Sequence, residues 1–215
     1  MSARRLVAFS ALILVIHELH ELAHTATGRL LCGGWGGRDF NSWFLPEGCN
    51  SWVPTLMGPL FSYLVMLVGA LLTRRDAHRP VGLALLFAAN PFARLFTAVM
   101  GGGDEMVLAR AWSGIAQKTP MLRAAVLLVV GAICVTFIVI GWRATRGFRR
   151  RVLTFITMLL WPMILTGVLL FAIFNPLLKR GVLATPGLGG EPLFVTIVTA
   201  ASLLMLAVTA RWLKD

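Results

Sequence analysis

The sequence predicts an all-α fold, a polytopic membrane bundle of about six transmembrane helices forming a single domain over residues 1–215. Three observations carry that expectation. Hydrophobic residues make up 58% of the chain and charged residues 13%, with a mean hydropathy of +0.81, well outside the balance of a soluble globular domain. Six apolar segments, 6–28, 54–72, 81–100, 121–142, 152–174 and 192–213, each approach the roughly 20 residues a helix needs to cross about 30 Å of hydrocarbon. Basic residues gather on alternate connections: Arg4 and Arg5; Arg74, Arg75 and Arg79; Arg143, Arg146, Arg149, Arg150 and Arg151; Arg211 and Lys214. Six spans put all of them on one side, which the positive-inside rule makes cytoplasmic along with both termini. The formal net charge of +11 is therefore mostly a matter of topology, and without a recognition module it gives no reason to expect a nucleic-acid partner. A multi-pass protein of a bacterial-type inner membrane is the expected setting, with the lipid bilayer as its solvent.

The first segment follows two arginines, as a signal peptide would, but it contains two glutamates and three histidines and has no good small-residue cleavage site. It is expected to be a retained helix ending near Gly28. The loop at 29–53 holds Cys32 and Cys49 around a glycine-rich run, and on an oxidising outer side these two are a possible disulfide. Asn90-Pro91 should interrupt the third span and leave carbonyls to be satisfied inside the bundle. Residues 105–116 carry Met106, Ala109 and Trp112 at helical spacing and read as a short interfacial helix. Cys134 is an ordinary apolar residue of the fourth span. Pro162 should bend the fifth, and Asn175-Pro176 should mark its exit. Six of the seven tryptophans fall in loops or near span ends, as an aromatic belt requires; Trp161 is the exception.

The chain has four histidines, and three lie in the run His17-Glu18-Leu19-His20-Glu21-Leu22-Ala23-His24 of the first span. Ionisable groups at that depth are costly unless they pair or coordinate. His20 and His24 are one helical turn apart and Glu21 lies beside them, so two imidazoles can grip one cation while the carboxylate handles a water. His17 and Gly28 extend the same stripe, and the glycine would let another helix approach. A catalytic zinc site usually takes three protein ligands. Asp104, then Glu105, then His17 is the order in which the missing ligand fits by membrane depth. Asp104 is equally suited to cap the short helix, with Glu105 in its first turn. Glu18 could orient a histidine or neutralise Arg94, whose charge in the third span needs a partner. Asn90, Arg94, Thr97 and Gly101 share a face expected to form a polar seam against the first span, from which Asn90 or Arg94 could orient a peptide carbonyl.

The segment His20-Glu21-Leu22-Ala23-His24, followed by small residues and Gly28-Arg29-Leu30-Leu31, resembles the active-site helix of membrane-embedded zinc metalloproteases of the site-2 protease class. That resemblance implies a zinc cofactor held by His20, His24 and Asp104, Glu21 as the catalytic base, Asn90 as a polar group preceding the distant ligand, and a transmembrane peptide or membrane-protein substrate. Two features depart from the family's usual form. Asp104 follows three glycines instead of a proline-containing motif, and the charge pattern places the site nearer the outer face. The competing readings are a nonproteolytic membrane metalloprotein or assembly subunit that serves a partner membrane protein, and a proton-coupled transporter using Glu18, Glu21, Arg94 and the histidines.

Overall fold

The computed structural model describes residues 1–187 and 189–214, and within them the protein is helical with no β-strand. Six helical stretches are long and apolar enough to span a membrane: Ala3–Cys32, Val53–Leu72, Asp76–Val99, Pro120–Ala144, Arg151–Lys179 and Leu193–Leu213. They correspond one to one with the six predicted segments. The protein is an all-α, multi-pass membrane bundle.

Helix α1 (Ala3–Cys32) is the hub, packed against the second, third, fifth and sixth spans. Ser2 caps it by accepting from the Arg5 N–H, and Gly33 ends it at φ 74°, a left-handed backbone that glycine adopts without a Cβ penalty. Its 30 residues extend about 45 Å, longer than the hydrocarbon, and it runs on to Cys32 instead of stopping at Gly28. Helix α2 (Val53–Leu72) packs tightly on α3 (Arg79–Ala88), because Gly69 and Gly82 bring the two backbones together where a Cβ on either would strike main-chain atoms. Around this seam Phe9, Ile13, Met66, Leu83, Leu86 and Phe87 form the fully buried core.

The third span breaks where Asn90-Pro91 predicted. Asn90 takes φ 58°, ψ 53°, and its side chain accepts from the Ala93 N–H to start α4 (Pro91–Val99). Gly101-Gly102-Gly103 then turns the chain into α5 (Asp104–Ser113), the expected short helix. Helices α6 (Pro120–Ala144), α7 (Arg151–Thr166) and α9 (Leu193–Thr209) lie on the outside of the bundle, with apolar faces suited to lipid. Pro162 sits inside α7, and a π-helical stretch, Gly167–Phe174, follows it. The chain continues through Asn175-Pro176 into α8 (Asn175–Lys179), so that pair lies within the span instead of at its exit. Trp161, the one tryptophan away from the boundaries, donates its indole N–H to Ser10 of α1 at 2.8 Å.

The loop after α1 folds back against the C-terminal half of that helix. Cys32 and Cys49 are disulfide-bonded with Cα atoms 5.7 Å apart. Between them Phe40 is fully buried against Phe174 and Phe194, and an antiparallel bridge joins Arg38 to Trp43.

Candidate metal centre

On α1, i, i+4 spacing sets His20 and His24 edge to face, with ring centroids 4.7 Å apart. The Nε2 atoms are 3.2 Å from each other, and Asp104 Oδ2 lies 3.1 Å from His20 Nε2 and 3.7 Å from His24 Nε2. Zinc bonds of 2.0–2.1 Å in a tetrahedron place neighbouring ligand atoms about 3.3 Å apart, so this triangle has the size of one tetrahedral face. Two imidazole nitrogens and one carboxylate oxygen are also a donor set zinc accepts. Among the described residues this is the one group of three or more His, Cys, Asp or Glu side chains close enough to share an ion.

The outer atoms of both imidazoles are held. His24 Nδ1–H donates to the Pro54 carbonyl at 2.6 Å, which fixes the tautomer that leaves Nε2 facing Asp104. Trp43 stacks on the same ring at 4.6 Å and 13°. Gly58 of α2 lies nearest its Nε2 edge, and a Cβ there would overlap the imidazole. His20 Nδ1 lies 3.0 Å from Ser62 Oγ and 2.9 Å from Arg94 Nη2. Asp104 is delivered by the glycine turn as the first residue of α5. Gly103 occupies the cap position and makes no side-chain cap, so the capping alternative for Asp104 is not adopted. Burial alone would raise its carboxyl, but hydrogen bonds and charge from His20 and His24 outweigh that and hold it well below the usual carboxylate range.

Glu21, with 4% of its surface exposed, projects into a cavity of about 380 Å³ that His20, Asp104, Asn90 and Arg94 also line. Its Oε2 is buried and has no hydrogen-bond partner among the described residues, an expensive arrangement for a structural residue. Ala88, Ala89, Asn90 and Ala93, at the α3–α4 break, also line the cavity.

The remaining sequence candidates are placed elsewhere. Glu105 is not a ligand: its Oε1 accepts from Arg94 Nη1 and from Tyr63 OH, both at 2.7 Å, which supplies the buried arginine with its counter-charge. His17 is not a ligand either, because its Nε2–H donates to the Phe40 carbonyl at 2.6 Å. Glu18 neither orients a histidine nor pairs with Arg94. It takes a 3.0 Å ion pair from Arg38 and a hydrogen bond from Thr199, tying loop and α9 to α1. Arg94 also donates to Ser62 at 2.8 Å. Asn90, Arg94 and Thr97 line the cavity as a seam beside α1, whereas Gly101 lies against Arg123 of α6. Gly28 meets Leu45 of the loop in place of another helix. The sequence reading missed Ser62, Tyr63, Trp43, Pro54 and Arg38. Only Arg38, a charge in an otherwise glycine- and aromatic-rich loop, offered a signal; the others act through contacts that no local pattern encodes.

No protein-family model matches the chain, and no curated protein or solved structure matches it either. The chemistry of the site is therefore read from its own geometry.

Proposed function

We propose that this protein is a membrane-embedded zinc metallopeptidase that cleaves a peptide bond in a transmembrane or membrane-proximal segment of another protein. The observation that carries the reading is the Glu21 carboxylate, whose Oε2 has no partner among the described residues, in a cavity that His20 and Asp104 also line, with His24 completing three ligand atoms spaced like one face of a zinc tetrahedron. His20, His24 and Asp104 would hold the ion. Zinc in such a site supplies Lewis acidity and makes water a nucleophile near neutral pH.

The protein's own residues account for the rest. Glu21 takes the proton of the attacking water and returns it to the leaving amine. Its lack of any other hydrogen bond leaves it available for both transfers. The Pro54 carbonyl and Ser62 hold the two imidazoles in place. Arg94 is turned onto Ser62, His20 and Glu105, which suits it to positioning His20 more than to contacting substrate. The broken third span lets an extended peptide find main-chain partners at membrane depth, where an intact helix offers none.

The same reading includes a location. The basic connections support an orientation with both termini in the cytoplasm of a bacterial-type inner membrane, and the Cys32–Cys49 bond fits a loop on the oxidising side. His24 lies eight residues, about 12 Å, from the C-terminal end of α1, which in that orientation supports chemistry nearer the periplasm.

The test is metal content and turnover on reconstituted protein with a transmembrane peptide substrate. Wild type should carry about one zinc per chain, and Glu21→Gln should keep the zinc while turnover falls on the order of a thousandfold. Equal cleavage by Glu21→Gln would sink the mechanism. Bound zinc with no cleavage of any membrane peptide by wild type would move the protein to the nonproteolytic metalloprotein reading.

A further inference from the structure

The cavity at the metal centre extends beyond the metal ligands. On α1 it is bordered by Ile13, Ile16, His17, His20 and Glu21, which are positions i, i+3, i+4, i+7 and i+8 of one helix face. From Glu21 back to Ile13 that face runs eight residues, about 12 Å. The space therefore reaches from the proposed base toward the N-terminal half of α1. Ala88 and Ala89, at the end of α3, border it too, and with Ile13 and Ile16 they belong to the core cluster that contains Met66 and Phe87. These four residues are between 1% and 7% exposed, so this inner end of the cavity lies within the apolar core.

The two ends differ in chemistry. The charged groups of the wall are committed at the metal end, where Arg94 pairs with Glu105 at 2.7 Å and Asp104 faces His20 at 3.1 Å. Thr166 also borders the cavity, but its hydroxyl donates to the Pro162 carbonyl of its own helix at 2.8 Å. At the inner end the isoleucines supply branched apolar walls, and the two alanines supply only methyl groups. The backbone does not require that small size: Ala89 has φ −74° and ψ 4°, which residues with larger side chains also adopt. Space among apolar side chains forfeits dispersion contacts and serves water poorly. A peptide whose main chain lies beside Glu21 can send one side chain into it, and an aliphatic one restores the missing contacts.

We propose that the inner end of the cavity is a substrate subsite for one aliphatic side chain next to the scissile bond, with Ala88 and Ala89 setting its depth and Ile13 and Ile16 its walls. The inference rests on the peptidase reading for the bond that is cut, whereas the side-chain preference is a property of the cavity itself. Glycine would leave the space unfilled. Aspartate would bring a desolvated charge toward Glu21 and Asp104, and the cation of the wall, Arg94, is already paired.

The experiment measures binding apart from cleavage. Full-length Glu21→Gln protein in detergent, which the proposed mechanism leaves unable to turn over, is titrated with a fluorescent alanine pentapeptide whose central residue is replaced by glycine, leucine, phenylalanine or aspartate. Leucine should bind at least roughly tenfold more tightly than glycine or aspartate. Adding Ala89→Leu should cut the advantage of leucine over glycine to about threefold or less, and adding Ile16→Ala should instead raise phenylalanine about threefold or more relative to leucine. Ile16→Ala only removes atoms, so it tests the subsite even where Ala89→Leu fails to fold. Equal binding of leucine and glycine overturns the proposal, as does aspartate binding as tightly as leucine or a shift in the same direction from both substitutions. Cleavage of the same peptides by protein with Glu21 intact is followed separately. A leucine preference in binding with no peptide cleaved keeps the subsite and removes the peptidase reading, whereas cleavage with no side-chain preference keeps the peptidase and removes the subsite.

Discussion

The two halves of α1 are made from one continuous helix and do opposite things. From Ala3 to Ile16 its buried face is almost wholly apolar, and Ala8, Phe9, Leu12 and Ile13 pack among Met66, Leu83 and Phe87. From His17 onward the same helix buries Glu18, His20, Glu21, His24 and Thr25. In the first half neighbours need only match in shape, since dispersion and close approach are what hold helices together in lipid. In the second half each polar atom needs a particular partner: Pro54 and Ser62 on α2, Arg38 and Phe40 on the loop, Thr199 on α9, Asp104 on α5. Glu21 Oε2 is the exception to that satisfaction, and it is the atom the proposed chemistry needs. A membrane helix therefore pays for stability in one half and holds a poised, under-satisfied group in the other.

The contrast can be broken most sharply at the ligands. His20→Ala/His24→Ala should take bound zinc from about one equivalent to none, measured by inductively coupled plasma mass spectrometry, and reduce turnover on the order of a thousandfold or more while the protein still purifies as a folded species. Gly58→Val comes next. Its new side chain overlaps the His24 imidazole and must push it from the Nε2 triangle, so zinc affinity should fall by about a hundredfold, read by competition with a chromophoric chelator. Retained affinity would mean that the ring position is less constrained than the packing implies.

Two smaller effects sharpen the comparison from its structural side. Cys32→Ser/Cys49→Ser releases a 17-residue loop and should cost up to about 3 kcal/mol, seen as a lower melting temperature. The loop keeps the Arg38–Glu18 pair and the buried Phe40, so zinc should still bind, though more weakly as Trp43 loosens on His24. Phe9→Ala, in the apolar half, should cost on the order of 2 kcal/mol, because contacts are lost around a cavity with little transfer from water. Its folded fraction should hold as much zinc as wild type. Loss of zinc in Phe9→Ala would show that the halves are coupled.

The spans were legible because a helix in hydrocarbon must satisfy its backbone internally and present apolar side chains for some 20 residues, which composition alone reports. The break at Asn90 was legible for a similar reason, since Pro91 lacks the N–H and disfavours helix in the residue before it. The i, i+4 pair His20 and His24 with Glu21 beside them is likewise a local fact of helical periodicity. Asp104 was one of three ligand candidates and became the fitting one only when the glycine turn brought it to 3.1 Å from His20. Glu105, its neighbour in sequence, points instead to Arg94, a difference of about 100° around a helix that spacing to a distant segment cannot resolve.

By itself, then, the sequence determined what is local: six apolar helices, their interruption, the charge asymmetry of their connections, and two histidines with a glutamate on one face. The tertiary structure decided what depends on contacts between segments remote in the chain. It brought Asp104, not Glu105 or His17, to the two histidines, gave Arg94 to Glu105 and Glu18 to Arg38, folded Trp43 onto His24, and left Glu21 Oε2 without a partner among the described residues. Periodicity fixes a side chain's direction from its own helix, whereas its partner depends on how helices cross, and that is set by packing at positions such as Gly58, Gly69 and Gly82 far from the residues it serves.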